Sequence, residues 1–151
     1  MVASYPFDDS RNPPAFRTVY SAAPDDAVFK RLATIYASQH ATMKTGHVCP
    51  GDNFPGGITN GAKWYDVPGG MEDFNYLHSN CFEITMELSC CKFPKASQLP
   101  GEWQLNRESM FRFMEATHMG FKGRIVDADT GVPLSKAVVQ VSNIVTLFTV
   151  E

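Results

Sequence analysis

Residues 60–90, NGAKWYDVPGGMEDFNYLHSNCFEITMELSC, hold the side chains of this chain best suited to chemistry. Near the end of that run Phe82, Ile84, Met86 and Leu88 alternate with Glu83, Thr85 and Glu87. A period of two predicts a strand over 81–88 with one apolar and one polar face. Glu87 stands on the polar side near the far end, where α/β sheets place their sites, and is the best candidate for a general base. On residue type alone a strand glutamate is as a rule a solvated face residue, and Glu83 is read that way. Tyr65 follows Trp64 in a glycine-bounded loop before Pro68-Gly69-Gly70. Its phenol could close over a substrate and donate to a carboxylate or a developing oxyanion, or could simply be a packed loop aromatic. Asp8 and Glu72 are loop acids by the same plain reading, and Asp73 reads as structural, capping a turn or pairing with a buried group.

These side chains need elements to hold them. Only the first few residues of 2–23 look like a strand end; the Pro-, Ser- and Asp-rich remainder is loop. Pro24 with Asp25 and Asp26 opens a helix running to about residue 43, with Val28, Leu32, Ile35 and Tyr36 on one apolar face. Residues 46–61 carry turn signals throughout. A second helix is expected over 101–118, with Trp103, Met110, Phe113 and Met114 on its apolar side and Gly120 as its stop. After Gly120 the pattern becomes two β-branched strands around a Gly-Val-Pro turn. There is no internal repeat and no low-complexity tract.

The chain has 151 residues, 44% of them hydrophobic, enough for one globular core and at most two small units. A net charge of −3 offers nucleic acid no basic face. No apolar run approaches the roughly 20 residues of a bilayer span, and the first residues lack the basic and apolar regions of a signal peptide. The four cysteines, Cys49, Cys81, Cys90 and Cys91, form no CxxC pair, so no zinc knuckle is expected. Cys81, opening the apolar strand, is expected to be buried. His40, His47, His78 and His118 show neither HxxE nor HExxH spacing, so no metal ligand is assigned in this chain.

The motifs YPFDD, GITNG, WYDVPGGMEDFNY and NCFEITMELSC, in that order, resemble the zinc metallocarboxypeptidases of the regulatory subfamily, the carboxypeptidases D, E, M and N. The resemblance covers the C-terminal half of the catalytic domain and implies an α/β fold, a partial mixed-sheet carboxypeptidase fold over 1–119. Residues 120–151 resemble the start of the transthyretin-like domain that follows it, an incomplete β-sandwich segment. By resemblance Glu87 is the general acid/base, and Tyr65 is the tyrosine that caps the substrate. Asp8 is the pocket aspartate that pairs with a C-terminal Lys or Arg. Glu72 stands where the subfamily most often has glutamine, adding a second negative charge. Cys49 and Cys90 match a disulfide, which leaves Cys91 unpaired.

The resemblance also implies zinc in the parent enzyme, with its ligands upstream of Val2 and so absent from this chain. The function implied is removal of Lys or Arg from peptide and protein C-termini in the secretory pathway or outside the cell, with the chain as written a catalytically inert fragment. Two other readings stand beside it: a non-catalytic peptide-binding relative, and a truncated gene product. Retention of Glu87 and Tyr65 argues against a pure binder.

Overall fold

The protein, seen as a computed structural model, is described at residues 1–11, 18–79, 81–120, 123–140 and 147–149. It divides into two compact units, 1–118 and 119–151.

In the first unit, strand β1 (Val2–Tyr5) is the centre of a three-stranded mixed sheet. It runs parallel to β2 (Ile58–Asn60), pairing Ala3 with Ile58 and Tyr5 with Asn60. It runs antiparallel to β3 (Thr85–Glu87), pairing Val2 with Glu87 and Ser4 with Thr85. All four residues of β1 are buried, as suits a strand flanked on both edges and covered on both faces. Ala3 and Tyr5 face helix α1 (Asp26–Gln39) and join Phe29, Ala33, Tyr36, Ala37 and Met43 in the core. Phe29 is fully buried there, its ring 4.9 Å from that of Tyr76 and 5.1 Å from that of Phe82. Burying one such side chain stabilises the fold by about 1.5–3 kcal/mol. Ile84, Met86 and Leu88 pack against the same cluster, so the alternation read in residues 82–88 marks a core face. Only Thr85–Glu87 form ladder bonds, however, and Cys81 is exposed rather than buried, because the chain reaches the sheet only after it.

The first helix differs from its expected form in two ways. Its buried stripe is Phe29, Leu32, Ala33, Tyr36 and Ala37, while Val28 faces out and Ile35 is half-buried. It also ends at Gln39 rather than near 43. There the fully buried His40 accepts the amide N–H groups of Thr42 and Met43 at Nδ1, ending the helix and starting a 3₁₀ turn at Met43–Thr45. Helix α4 (Leu99–Glu115) packs on α1 through Asn106 and Ser109, with Tyr36 donating to Asn106 Oδ1 at 2.8 Å. Met110 and Phe113 are half-buried on that side, but Trp103 and Met114 point outward.

Two short elements lie where loop was expected. Strand β2 arises inside the Gly/Pro-rich stretch, and helix α2 (Gly61–Trp64) follows it directly, capped by Asn60. Helix α3 (Met71–His78) begins after the Pro68-Gly69-Gly70 turn, with Glu72 and Asp73 in its first turn, where acids favour the helix dipole. A disulfide joins Cys49 to Cys90 across 41 residues, and loop closure of that length stabilises a fold by roughly 3–4 kcal/mol. Cys81 and Cys91 are free and exposed.

In the second unit the Gly-Val-Pro segment is not the turn. Asp127 Oδ1 accepts from the amides of Asp129 and Thr130 and from the Thr130 hydroxyl. The chain therefore reverses over 127–131, and Val126 bridges Pro133 on the returning arm. Strand β4 (Val138–Gln140) pairs antiparallel with β5 (Leu147–Thr149), a strand inside the tail that matched no expected pattern. The end of the expected second strand, 141–144, lies outside the described residues.

Candidate active site

Beyond β1 the chain passes through a cis Pro6–Phe7 bond to Asp8, and Asn60 holds this turn in place. Asn60 is buried, and its Nδ2 donates to the carbonyls of Pro6 and Ser21, both at 2.9 Å. Its Oδ1 accepts from the amides of Ser21 and Lys63. One side-chain amide thus ties β1, the 18–21 loop and α2 together. The sequence signal for it was the Asn-Gly pair ahead of a short helix, an N-cap pattern.

Asp73 sets the Asp8 backbone. Its carboxylate accepts the Asp8 amide at 2.9 and 3.1 Å and the Asp9 amide at 3.0 Å. Asp66 Oδ1 accepts the Ser10 amide at 2.7 Å, and the Val67 amide donates to the Asp8 carbonyl at 2.9 Å. Segments 8–10 and 65–67 are therefore stitched together. Tyr65 is half-exposed at the end of α2, its ring edge-on to Trp64 with centroids 4.7 Å apart.

Asp8, Glu72 and Asp73 offer carboxylate oxygens that all lie within 4.8 Å of one another. Glu72 is not an exposed loop acid, as its type suggested: it is 2% exposed, on a helix. Thr85 stands beside it, but neither Glu72 oxygen has a hydrogen-bond partner of normal geometry. Burial pushes the Glu72 carboxyl up to about 8, and the Asp8 charge adds to the rise. Burial and the Asp73 charge likewise push Asp8 up to about 6.

Glu87 sits two residues beyond Thr85 on β3, so the two share a face about 7 Å apart. That face carries Val2 and Ser4 of β1 and points away from the α1 core. Glu87 is half-buried there. Glu83 is half-buried too, not surface, and hydrogen-bonds Asn75 Nδ2 on α3. Glu87 lies opposite Val2, whereas Tyr65 follows Asn60, which lies opposite Tyr5. Glu87 thus lies opposite the start of β1, and the segment leading to Tyr65 departs from its other end, about 10 Å further along the strand. The acids gather at the Tyr65 end. A shallow pocket beside them is lined by Phe7, Asp9, Arg11, Asp73, Phe74 and His78, among others, and by neither Glu87 nor Tyr65.

Comparison with known proteins decides what this arrangement belongs to. The zinc carboxypeptidase family model matches residues 1–109. The chain belongs to the zinc carboxypeptidase family. It is 56% identical over 148 residues to carboxypeptidase D of Homo sapiens, covering 95% of this chain and 11% of that protein. Carboxypeptidase E of Caenorhabditis elegans is 52% identical over 150 residues, covering 95% of this chain and 32% of the relative. The carboxypeptidase N catalytic chain of Mus musculus is 49% identical over 149 residues, again 95% and 32%. The chain therefore spans about a tenth of the carboxypeptidase D relatives and about a third of the other two.

Zinc is the metal of a zinc carboxypeptidase, and catalytic zinc takes imidazole nitrogens with a carboxylate. Among the described residues one group of three potential ligands converges, Asp8, Glu72 and Asp73, and it contains oxygen donors only. His40 has its Nδ1 occupied by two amides, and His78 stacks on Phe74. The described residues do not fit a catalytic zinc. As regards membranes, no helix among the described residues is long and apolar enough to cross one.

Proposed function

We infer that the protein to which this chain belongs removes Lys or Arg from peptide C-termini, with zinc held by residues outside those described here. Glu87 takes a proton from the attacking water and returns it to the leaving amine. Tyr65 closes over the terminal residue, and Asp8 and Glu72 receive its cationic side chain. One observation carries the reading: Glu72 lies beside Thr85, and Glu87 follows two residues later on the same face. Thr85, which neighbours the acids, and Glu87 therefore share a face one two-residue strand step of about 7 Å apart, a reach on the scale of the four-carbon stem of a lysine. A peptide bond at Glu87 would thus place a basic terminal side chain among the acids.

Without a zinc donor set in these residues, the 151-residue chain by itself does not turn substrate over. Residues 120–151 are the beginning of a transthyretin-like β domain, and the parent protein works in the secretory pathway or outside the cell.

The test is turnover by the whole protein on paired peptides that end in Arg or in Leu. The reading requires faster release of Arg, loss of turnover in Glu87→Gln, and retained peptide binding in that variant. Equal release of both residues would remove the specificity assignment. Binding of Arg peptides without any turnover by the whole protein would make it a binding relative instead.

A further inference from the structure

Buried carboxylates need a proton, a donor or a cation, since an unpaired buried charge is costly. Glu72 is 2% exposed and Asp73 7%, yet both Glu72 oxygens lack a partner. Among the described residues no Lys, Arg or His forms an ion pair with Asp8, Glu72 or Asp73. We propose that these three carboxylates form a calcium-ion site, with Glu72 and Asp8 as its principal ligands and Asp73 as a third.

The geometry and donor chemistry support this. Two oxygens on opposite sides of a calcium ion, each about 2.4 Å away, are about 4.8 Å apart. The three side chains present oxygens within that spread. The donors are all oxygen, the preference of a hard cation and not of zinc. Asp73 is held by the amides of Asp8 and Asp9, which fixes its orientation and leaves Oδ1, with one amide on it, a second lone pair. The hydroxyl of Thr85 lies next to Glu72 as a further oxygen. Asp8 is half-buried, which gives an ion a way in. Magnesium demands a near-ideal octahedron, whereas calcium accepts an irregular set completed by water.

Calcium binding does not rest on the proposed peptidase activity. If both hold, calcium and a cationic side chain use the same carboxylates and exclude one another.

The experiment is calorimetric titration of calcium chloride into the chelator-stripped 151-residue chain at neutral pH, with no peptide present. One saturable ion per chain is expected, with affinity lowered about tenfold or more by Glu72→Gln, which removes a ligand charge. Glu83→Gln, altering an acid bonded to Asn75, leaves it unchanged. Should circular dichroism show that Glu72→Gln does not fold, Asp8→Asn carries the same expectation. The proposal is overturned if no saturation occurs into the millimolar range, or if the folded Glu72 or Asp8 variant binds calcium like the parent.

Discussion

Asp8 Oδ1 fills the space that a β-carbon on residue 61 would need. Built at Gly61, that carbon would stand 1.6 Å from Asp8 Oδ1 and 3.0 Å from Asp8 Cα. The start of α2 and the acid of the β1 loop therefore approach as closely as a glycine permits. Gly61→Ala would push the Asp8 carboxylate out of the cluster and force the 8–10 segment to shift. Overpacking of this kind costs about 1–3 kcal/mol. Urea unfolding checks it: an unchanged midpoint would mean that Asp8 rotates away freely.

Asp73 and the Asp8 amide make a second, separable prediction. Replacing Asp73 by Asn swaps one carboxylate oxygen for an N–H donor facing backbone donors, and leaving a buried amide unmade costs about 1–3 kcal/mol. Hydrogen exchange of the Asp8 and Asp9 amides in Asp73→Asn should accelerate, because these are the amides that Asp73 accepts. Unaltered protection would show that other contacts hold the loop.

The acidic cluster should make stability depend on pH. The Glu72 carboxyl goes from an ordinary value of 4.5 to about 8 in the fold, and that of Asp8 from 3.8 to about 6. A raised pKa means that the folded state holds more protons than the unfolded one, so stability falls as pH rises through this window. With chelator present, the protein should be at full stability near pH 4 and lose it up to about pH 8, by at most roughly 1.4 kcal/mol per pH unit for each titrating group. The groups facing Glu72 are Asp8, Asp73 and the Thr85 hydroxyl. Glu72→Gln should flatten the profile between about pH 6 and 8 and raise the melting temperature there. A profile of the same slope in that variant would place the titration elsewhere.

Glu87 is expected to matter for turnover and little for folding. In the whole protein Glu87→Gln should lower kcat by about 10² to 10⁴. Its melting temperature should change little, since a half-buried isosteric change on the polar face of a strand costs within about 0.5 kcal/mol. A loss of stability equal to the loss of activity would recast Glu87 as a structural residue.

The parts legible in the sequence were those whose burial followed a period. Ile84, Met86 and Leu88 pack on the core while Glu83, Thr85 and Glu87 take the other face, because β3 lies on an edge of the sheet with one side toward α1. Helix α1 was legible from Leu32 and Tyr36, though its stripe is turned so that Phe29 is inside and Val28 outside. Helix α3 was hidden because its pattern is inverted. Met71, Phe74 and Leu77 are exposed while Glu72 and Asp73 are buried, so a hydrophobic stripe points to the wrong face. Its two acids one residue after a Pro-Gly-Gly turn were the usable signal. Strand β2 has three residues, too few to show a period, and is a strand only because β1 offers it parallel partners. The closeness of Asp8 to Glu72 was not legible from spacing at all, for 64 positions separate them and the two segments are tied by Asp73, which accepts the Asp8 and Asp9 amides.

The Cys49–Cys90 bridge has a bearing on which way the proposed base points. Side chains on a strand reverse direction with every residue, so a slip of β3 by one position against β1 would bury Glu87 and turn Met86 outward. The ladder that resists such a slip is only three residues long, and the half-cystine three places after Glu87 moors its end to a distant loop. Reduction would thus release the alignment of β3 before it released the core, and activity would fail in a protein that still looks folded.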